Sequence, residues 1–401
     1  MGPILRALMK SKAAALLIVL EIALTLAIVS NALSIIFDRI GNMNRPSGLE
    51  EDRVVSLQTS PAGPAYDIAA GYQADLARLL SIPGVENAYP SNTLPLTNGG
   101  WSSSVTLKPG EDSDVGTAIY FADERTIPTL GLKLIEGRNF DAREVTWFKR
   151  NDSLNPPVTI VSKALAEAMF PGESALGKRI SVNGNENDLG QEIIGVVERL
   201  QAPWSGSTRL VEHSSLVPHH PESGYRWVIR VAPGQAEAVL KAAEEKLGKE
   251  DRARVVEDPE TFARIRADSY RNARAMVVIM AVISVLLLAI TALGIVGMVS
   301  FWVTQRTKQI GTRRALGARK VDILNHFRLE NLLLSAAGIV IGTLLAFGFN
   351  FLFANLFNAT RMPWFYLPIG AVMVLLLGQL AVWMPARRAS QVAPAIATRT
   401  A

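Results

Sequence analysis

The sequence predicts a membrane protein: four transmembrane α-helices plus a large α+β domain outside the bilayer, with a split βαβ part and an inserted mixed α/β subdomain. Three observations carry this reading. Of the 401 residues, 49% are hydrophobic and 19% charged, against roughly 25% charged in soluble domains. The apolar residues gather in four blocks, 13–37, 275–303, 329–353 and 365–384, and each can cross a bilayer, which takes about 20 residues at a rise of about 1.5 Å. The long stretch between the first two blocks is polar and carries strand and helix periodicities instead.

Charge placement orients the chain. The segments 1–12, 304–328 and 385–401 together hold 13 Lys/Arg against one acid, Asp322, and cytoplasmic flanks hold the Lys/Arg excess. Both termini and the loop 304–328 are therefore expected inside, and residues 38–274 outside, with 354–364 as a short second outer loop. Residues 38–274 carry 27 Lys/Arg and 33 Asp/Glu, so the net charge of +5 comes from the flanks. Nucleic-acid binding loses its main support. The absence of cysteine excludes a disulfide scaffold, a thiolate metal site and a cysteine nucleophile. The first block, about 25 apolar residues after a basic start, is longer than a signal-peptide apolar region and reads as an uncleaved anchor.

The outer segment divides into a first part (38–115), an insertion (116–224) and a second part (225–258). In the first part, alternation predicts a strand over Arg53–Gln58. The apolar spacing of Ile68, Tyr72, Leu76 and Leu79/Leu80 predicts a helix over Tyr66–Leu80, and strands follow at Val85–Tyr89 and Trp101–Leu107. In the second part a strand over Tyr225–Val231, a helix over Gln235–Leu247 and a strand over Arg254–Val256 repeat the order, which makes a split α+β layout. The insertion predicts strands at Val158–Val161, Arg179–Val182 and Glu192–Val197, a helix at Lys163–Met169 and a hairpin tip at Asn183–Asn187. Asp258-Pro259-Glu260 reads as an acidic helix start, so residues 259–303 are expected to form one continuous helix, a stalk running into the second span.

Catalytic chemistry is not legible. Gly172–Arg179 matches G-x-x-x-x-G-K but puts Arg179 where Ser or Thr should reach Mg²⁺, and it reads as a turn leading into the next strand. His213, His219 and His220 with Glu212 have metal-ligand chemistry, yet Pro218, Pro221 and the lack of i,i+4 spacing read as a solvated loop. Within the spans, Glu21 is costly unless paired or reaching the interface: it either bonds another span or extends toward the headgroups. Asn31 of the first span, with Ser284, Thr291, Gly294 and Gly297 of the second, suits close helix packing, and these two spans are expected to build a dimer contact.

Three stretches resemble the MacB-like and FtsX-like permease family of ABC transporters. The first is Gln305-Arg306-Thr307-Lys308-Gln309-Ile310-Gly311-Thr312-Arg313-Arg314-Ala315-Leu316-Gly317-Ala318, followed by Asp322-Ile323-Leu324 and Phe327. The second runs through Gly131–Leu134, Glu136–Phe140, Phe170–Glu173, Leu176–Ile180 and Ile194–Val197, and the third is Pro385–Ala389 with Pro394. The chain departs from the family pattern at Gln305 and Gln309, where Glu is usual, and at Thr398, where Leu is usual. The resemblance implies a dimeric four-span permease in a bacterial inner membrane, with a porter-like split βαβ part in the periplasm. It implies no catalytic residues and no cofactor or metal on this chain. ATP and Mg²⁺ belong to a cytoplasmic ABC ATPase dimer, and the other expected partners are a second permease copy or homologue, membrane lipid, a periplasmic adaptor and a TolC-like outer-membrane channel. Export from the periplasm is the expected output. The alternatives are an envelope-stress or ligand sensor or scaffold, and a lipoprotein-releasing or cell-wall-hydrolase-regulating complex of the same architecture.

The loop 304–328 is expected to carry the ATPase contact through Arg306, Lys308, Ile310, Arg313, Arg314, Leu316 and Asp322. Two short helices around Gly317-Ala318 would seat apolar residues in a partner groove while guanidinium groups pair with carboxylates. Composition alone fits binding of anionic lipid equally well.

Overall fold

The computed structural model describes residues 12–61, 68–108, 113, 115–148, 155–182, 190–207, 209–221, 225–250, 254–357 and 362–391. The expected hairpin tip at 183–187, and the terminal residues Arg6, Lys10, Pro394, Thr398 and Arg399, lie outside them. In chain order the elements begin with α1 (Lys12–Met43), β1 (Val54–Pro61), α2 (Ile68–Leu80), β2 (Val85–Ser91), β3 (Trp101–Thr106), β4 (Gly116–Phe121), α3 (Thr126–Leu130), β5 (Leu134–Gly137) and β6 (Thr146–Phe148). There follow β7 (Val158–Ser162), α4 (Lys163–Met169), β8 (Arg179–Val182), β9 (Gln191–Val197), β10 (Ser214–Val217), β11 (His219–Pro221), β12 (Tyr225–Val231), α5 (Ala236–Glu250) and β13 (Arg254–Thr261). The last are α6 (Phe262–Ser269), α7 (Arg271–Gln305), α8 (Thr307–Ala315), α9 (Lys320–Phe357) and α10 (Tyr366–Ser390). The chain forms two compact units, Met1–Met43 with Ala273–Ala401, and Asn44–Asn272.

In the unit Asn44–Asn272, a four-stranded sheet has the order β13-β1-β12-β2, antiparallel throughout. The two strand-helix-strand halves interleave, as the split layout requires. Val55 and Leu57 of β1 share a face with Tyr225, Trp227, Ile229 and Val231 of β12, two residues apart along each strand. That face packs on Tyr72, Leu76 and Leu79 of α2 and on Val239, Ala243 and Leu247 of α5. A one-residue slip would turn these side chains outward, so burial holds the register.

The second sheet has the order β5-β9-β7-β10-β4-β3-β8, and β8 also pairs with β9. Six strands thereby close into a ring, which removes open edges. Its core is Val105, Ile119, Phe121, Val161, Ile180, Val182, Ile193, Val196 and Val217, with Leu165 and Ala166 of α4. The expected strands and helix of the insertion are present, while β4, β5, β6, β10 and β11 had no expectation. Brevity or burial explains it: β6 and β11 have three residues each and β5 four, while β4 and β10 are buried at five of six and at all four positions, so no alternation can register. β3, grouped with the first part in the sequence, is hydrogen-bonded to β4 and β8 of the second sheet.

The continuous stalk helix is corrected. Glu260 and Thr261 pair with Ser56 and Val55 of β1, so the ladder keeps this stretch extended in β13. Thr261 then caps α6 by accepting from the Arg264 N–H, and α6 ends at Tyr270 before α7 begins. The histidine reading is also corrected. His219 and His220 lie in β11 at 8% and 9% exposure, paired with β6 and packed among Tyr72, Phe121, Trp147 and Phe148. Burial, then the neighbouring His219, lowers the His220 pKa to about 4. Gly172–Arg179 forms the expected turn, with Gly172 and Gly177 at positive φ and Lys178 paired to Glu173.

Asp123 follows β4 and is fully buried. Its Oδ1 accepts from the Arg125 N–H at 2.9 Å and the Thr126 hydroxyl at 3.2 Å, while Oδ2 is buried without a partner among the described residues. Desolvation, with the charge of Glu124 adding to it, raises its pKa to about 7.

In the unit Met1–Met43 with Ala273–Ala401, α1, α7, α9 and α10 are, among the described residues, the helices long and apolar enough to cross a membrane. All four expected spans are present, extended beyond their apolar blocks because a helical backbone need not stop where hydrocarbon does. The extension of α9 back to Lys320 absorbs the second of the two short helices expected around Gly317. Ile18, Ile22 and Leu26 of α1 share a core with Ile295, Val299 and Trp302 of α7, Leu334 of α9 and Val374 and Val382 of α10. Gly338 and Gly342, one turn apart on α9, admit α1. A Cβ at Gly342 would lie 2.7 Å from the Ala23 carbonyl oxygen, and one at Gly338 would lie 2.6 Å from Ile22 Cγ2. This is the small-residue approach that membrane helices use.

Two predictions follow from this packing. The raised pKa of Asp123 means that the folded state holds its proton more tightly, so stability present below about pH 4 is lost as pH rises toward about 7, at up to about 1.4 kcal/mol per unit. Asp123→Asn should flatten this dependence and raise the melting temperature at pH 8, measured on the detergent-purified chain; an unchanged pH profile contradicts the assignment. Gly342→Val should cost about 1–3 kcal/mol by forcing α1 from α9, whereas Gly297→Ala, where nothing lies within 4 Å, should be neutral or stabilising by up to about 1 kcal/mol.

Candidate functional site

The loop between α7 and α9 is built on one buried ion pair. Arg306, the residue after α7, donates through Nη1 to both carboxylate oxygens of Glu330, at 2.8 and 3.0 Å. Glu330 is 1% exposed and sits in the third turn of α9. The guanidinium also lies against the Trp302 ring, 5.7 Å from its centroid. Such a pair contributes little relative to apolar packing but is costly to halve.

Around it the seven expected loop residues divide. Ile310 is 5% exposed and packs with Ile323, Phe327, Trp302, Ala386 and Ala389, which seats α8 on the base of α9 and α10. Arg314 Nη1 donates to the Ser390 carbonyl at 3.0 Å. Asp322, in the first turn of α9, accepts from the Arg319 N–H at 2.9 Å and so satisfies a helix-terminal donor. Arg306, Ile310, Arg314 and Asp322 therefore brace the loop. Lys308, Arg313 and Leu316 face outward. Gly317, at φ +98°, makes the turn, and beside it Leu316 and Val321 are 83% and 62% exposed. The exposed residues of the loop thus include two bare aliphatic side chains, the cations Lys308, Arg313, Arg319 and Lys320, and Asp322.

The six polar or small residues of the spans also divide. Thr291 of α7 hydrogen-bonds Thr25 of α1 at 2.7 Å, and the Glu21 carboxylate rests against Gly294, where a Cβ would lie 2.5 Å from Oε2. Glu21 therefore turns to the second span of its own chain rather than to the headgroups. Asn31 donates to the Ala27 carbonyl and Ser284 to the Met280 carbonyl, each within its own helix, and Gly297 faces open space. The face of α7 through Val278, Val282, Val285, Leu286, Ile290 and Leu293 is exposed.

The sequence reading passed over Thr25, Ser390, Val321 and the Arg306–Glu330 pairing. Glu330 was visible as a charge in an apolar block, but nothing in the sequence joins it to a residue 24 positions away. Asn331 and Ser335, one turn apart on α9, are buried without partners among the described residues, against Gly378 of α10. Elsewhere among the described residues, no group of three or more His, Asp or Glu converges on a metal-sized site.

The pair makes an asymmetric prediction. Glu330→Ala, which leaves Arg306 buried and unpaired, should cost about 3–5 kcal/mol, and Arg306→Met with Glu330→Met should recover most of it. Thermal unfolding in detergent reads this directly, and a double variant no better than Glu330→Ala contradicts it.

Two family models match the chain: the MacB-like periplasmic core domain over residues 15–246, and the FtsX-like permease C-terminal region over residues 281–394. The macrolide export ATP-binding/permease protein MacB of Chromobacterium violaceum is 27% identical over 330 residues, 78% of this chain and 49% of that protein. A MacB 1 protein of Aeromonas hydrophila subsp. hydrophila is 28% identical over 306 residues, 73% of this chain and 45% of that protein. The chain thus spans about half the length of these curated relatives. Among solved structures, the periplasmic region of MacB from Actinobacillus actinomycetemcomitans aligns with 57% of this chain and 97% of its own, at 15% identity and a TM-score of 0.34. The extracellular domain of the noncanonic ABC-type transporter YknZ from Gram-positive bacteria aligns with 51% of this chain and 100% of its own, at 17% identity and a TM-score of 0.32. Two matched regions that together run from the first span to beyond the last helix place this chain in the MacB-like and FtsX-like permease family of ABC transporters.

Proposed function

We propose that the chain is the transmembrane permease subunit that couples a separate cytoplasmic ATPase to movement of its periplasmic domain. The observation that carries this reading is the surface around Gly317: Leu316 and Val321 stand exposed, as do Lys308, Arg313, Arg319 and Lys320. The surface stays in place because Arg306, Ile310 and Arg314 are tied down behind it, while Asp322, itself exposed, caps the start of α9 beside it. A mobile basic tail would attract lipid headgroups equally well. A braced pair of aliphatic knobs between cations instead fits a preformed protein groove with acidic walls.

ATP and Mg²⁺ then act on the partner, and both termini and this loop face the cytoplasm, as the basic flanks favour. The exposed face of α7 receives lipid or a second permease. The output we infer is export from the periplasm with an adaptor and an outer-membrane channel, in keeping with the macrolide export named for the relatives.

Arg313→Glu with Leu316→Asp alters only the exposed surface, so the melting temperature should stay within a change of about 0.5 kcal/mol while ATPase recovered with the permease falls at least about tenfold, a loss of about 1.4 kcal/mol in binding. Arg313→Glu with Arg314→Glu should also release the partner, but with a lower melting temperature, because Arg314 holds Ser390. Full ATPase recovery with the first variant would refute the coupling surface. Purification of the intact chain with no ATPase would turn the assignment to a sensor or scaffold.

A further inference from the structure

Gln201 lies between β9 and β10 and is 1% exposed. Three of its four polar functions reach different parts of the unit Asn44–Asn272, while Oε1 is buried without a partner among the described residues. Its backbone N–H donates to the Ser47 carbonyl at 2.9 Å. Its carbonyl accepts from the Tyr120 hydroxyl at 2.6 Å, and its side-chain Nε2 donates to the Tyr270 hydroxyl at 3.0 Å. Ser47 stands four residues beyond α1, Tyr270 is the break between α6 and α7, and Tyr120 belongs to β4 of the closed sheet. One buried residue of the inserted subdomain therefore holds the passage that follows the first span and the passage that precedes the second.

The two passages are also lashed to each other. Arg266 donates from Nε and Nη2 to the two oxygens of Glu51, each at 2.8 Å, and from Nη2 to the Arg45 carbonyl at 2.7 Å. Ser47 Oγ donates to Glu51 at 2.6 Å, and Ser205, four residues past Gln201, donates to the Ser269 carbonyl at 3.2 Å. At Gly48, φ is +95° and a Cβ would lie 2.2 Å from the Arg199 carbonyl oxygen, so the chain after α1 presses directly on the Gln201 segment.

We propose that Gln201 is a positioning residue that delivers displacement of these two passages to the closed sheet. The four-stranded sheet is joined to both passages by the chain itself, through β1 and β13. The Gln201 bonds add a direct route from both passages into the closed sheet. Buried hydrogen bonds are directional and costly to leave unmade, so the two Tyr hydroxyls and the Ser47 carbonyl travel with Gln201. This inference rests on the coupling reading above, which supplies the displacement.

The test uses the whole complex with its ATPase in lipid nanodiscs. The chain has no cysteine, so spin labels at Lys163→Cys on α4 and Lys241→Cys on α5, both exposed, report the spacing of the two subdomains. Between Mg-ADP and Mg-ATP with vanadate, the distance distribution should shift in the otherwise unaltered chain. In Gln201→Leu and in Tyr270→Phe the shift should fall to half or less, with ATPase activity within twofold. The double variant should lose no more than either single one, as partners in one bond require.

A full shift in both single variants overturns the inference, as does a hydrolysing complex whose labels never move. A preparation without ATPase overturns the coupling reading instead. In that case hydrogen exchange still judges the bond itself: either variant should speed exchange at residues 269–272 about tenfold, and unchanged exchange defeats it. Tyr270→Phe removes one hydroxyl and keeps the ring, so it remains informative even if Gln201→Leu fails to fold.

Discussion

The ion pair of Arg306 and Glu330 adds little net stability over apolar packing, but it sets the geometry on which the loop between α7 and α9 is built. A carboxylate at 1% exposure is tolerable there only because a guanidinium reaches both of its oxygens. That requirement brings the end of α7 onto the third turn of α9. With those points joined, the short helix α8 has little freedom: Ile310 drops into the core beside Ile323 and Phe327, and Arg314 closes on Ser390. What stays outside is therefore a surface with a fixed shape.

Close helix approach does the rest of the work in this unit. Gly338 and Gly342 let α1 touch α9 at backbone distance, and Thr25 and Thr291 satisfy each other where α1 meets α7. Because lipid offers no hydrogen bonds, Asn31 and Ser284 return to carbonyls of their own helices. The polar residues that looked like material for a dimer contact thus have occupations within one chain. The aliphatic face of α7 is left for whatever surrounds it.

The outer unit solves a different problem. Its four-stranded sheet is held by an alternating apolar face and two helices, while its closed sheet is held by mutual pairing of short strands around a small core. The two sheets are not merely tethered in sequence. Gln201, Arg266 and Glu51 gather both ends of the unit at a single knot of hydrogen bonds, and Asp123, Tyr72 and Tyr89 lie close enough for the carboxylate to influence both hydroxyls.

The spans, the split strand-helix-strand plan and the loop motif were legible in the amino-acid order alone, because each is a local matter: twenty apolar residues in a row, alternation at two, recurrence near 3.6. The strands β10 and β11 were not, since a fully buried four-residue strand and a three-residue one have no period, and His219 and His220 between prolines read as solvated when they are core. The stalk helix failed for a related reason: the ladder to β1 outweighed a Pro-Glu start at 259–260. Tertiary structure alone decided which cations of the loop are braces and which are exposed, that Glu330 answers Arg306, and that Gln201 ties three distant segments. Each depends on residues tens to hundreds of positions apart coming within 3 Å or so, and side-chain pairing at that range leaves no pattern along the chain.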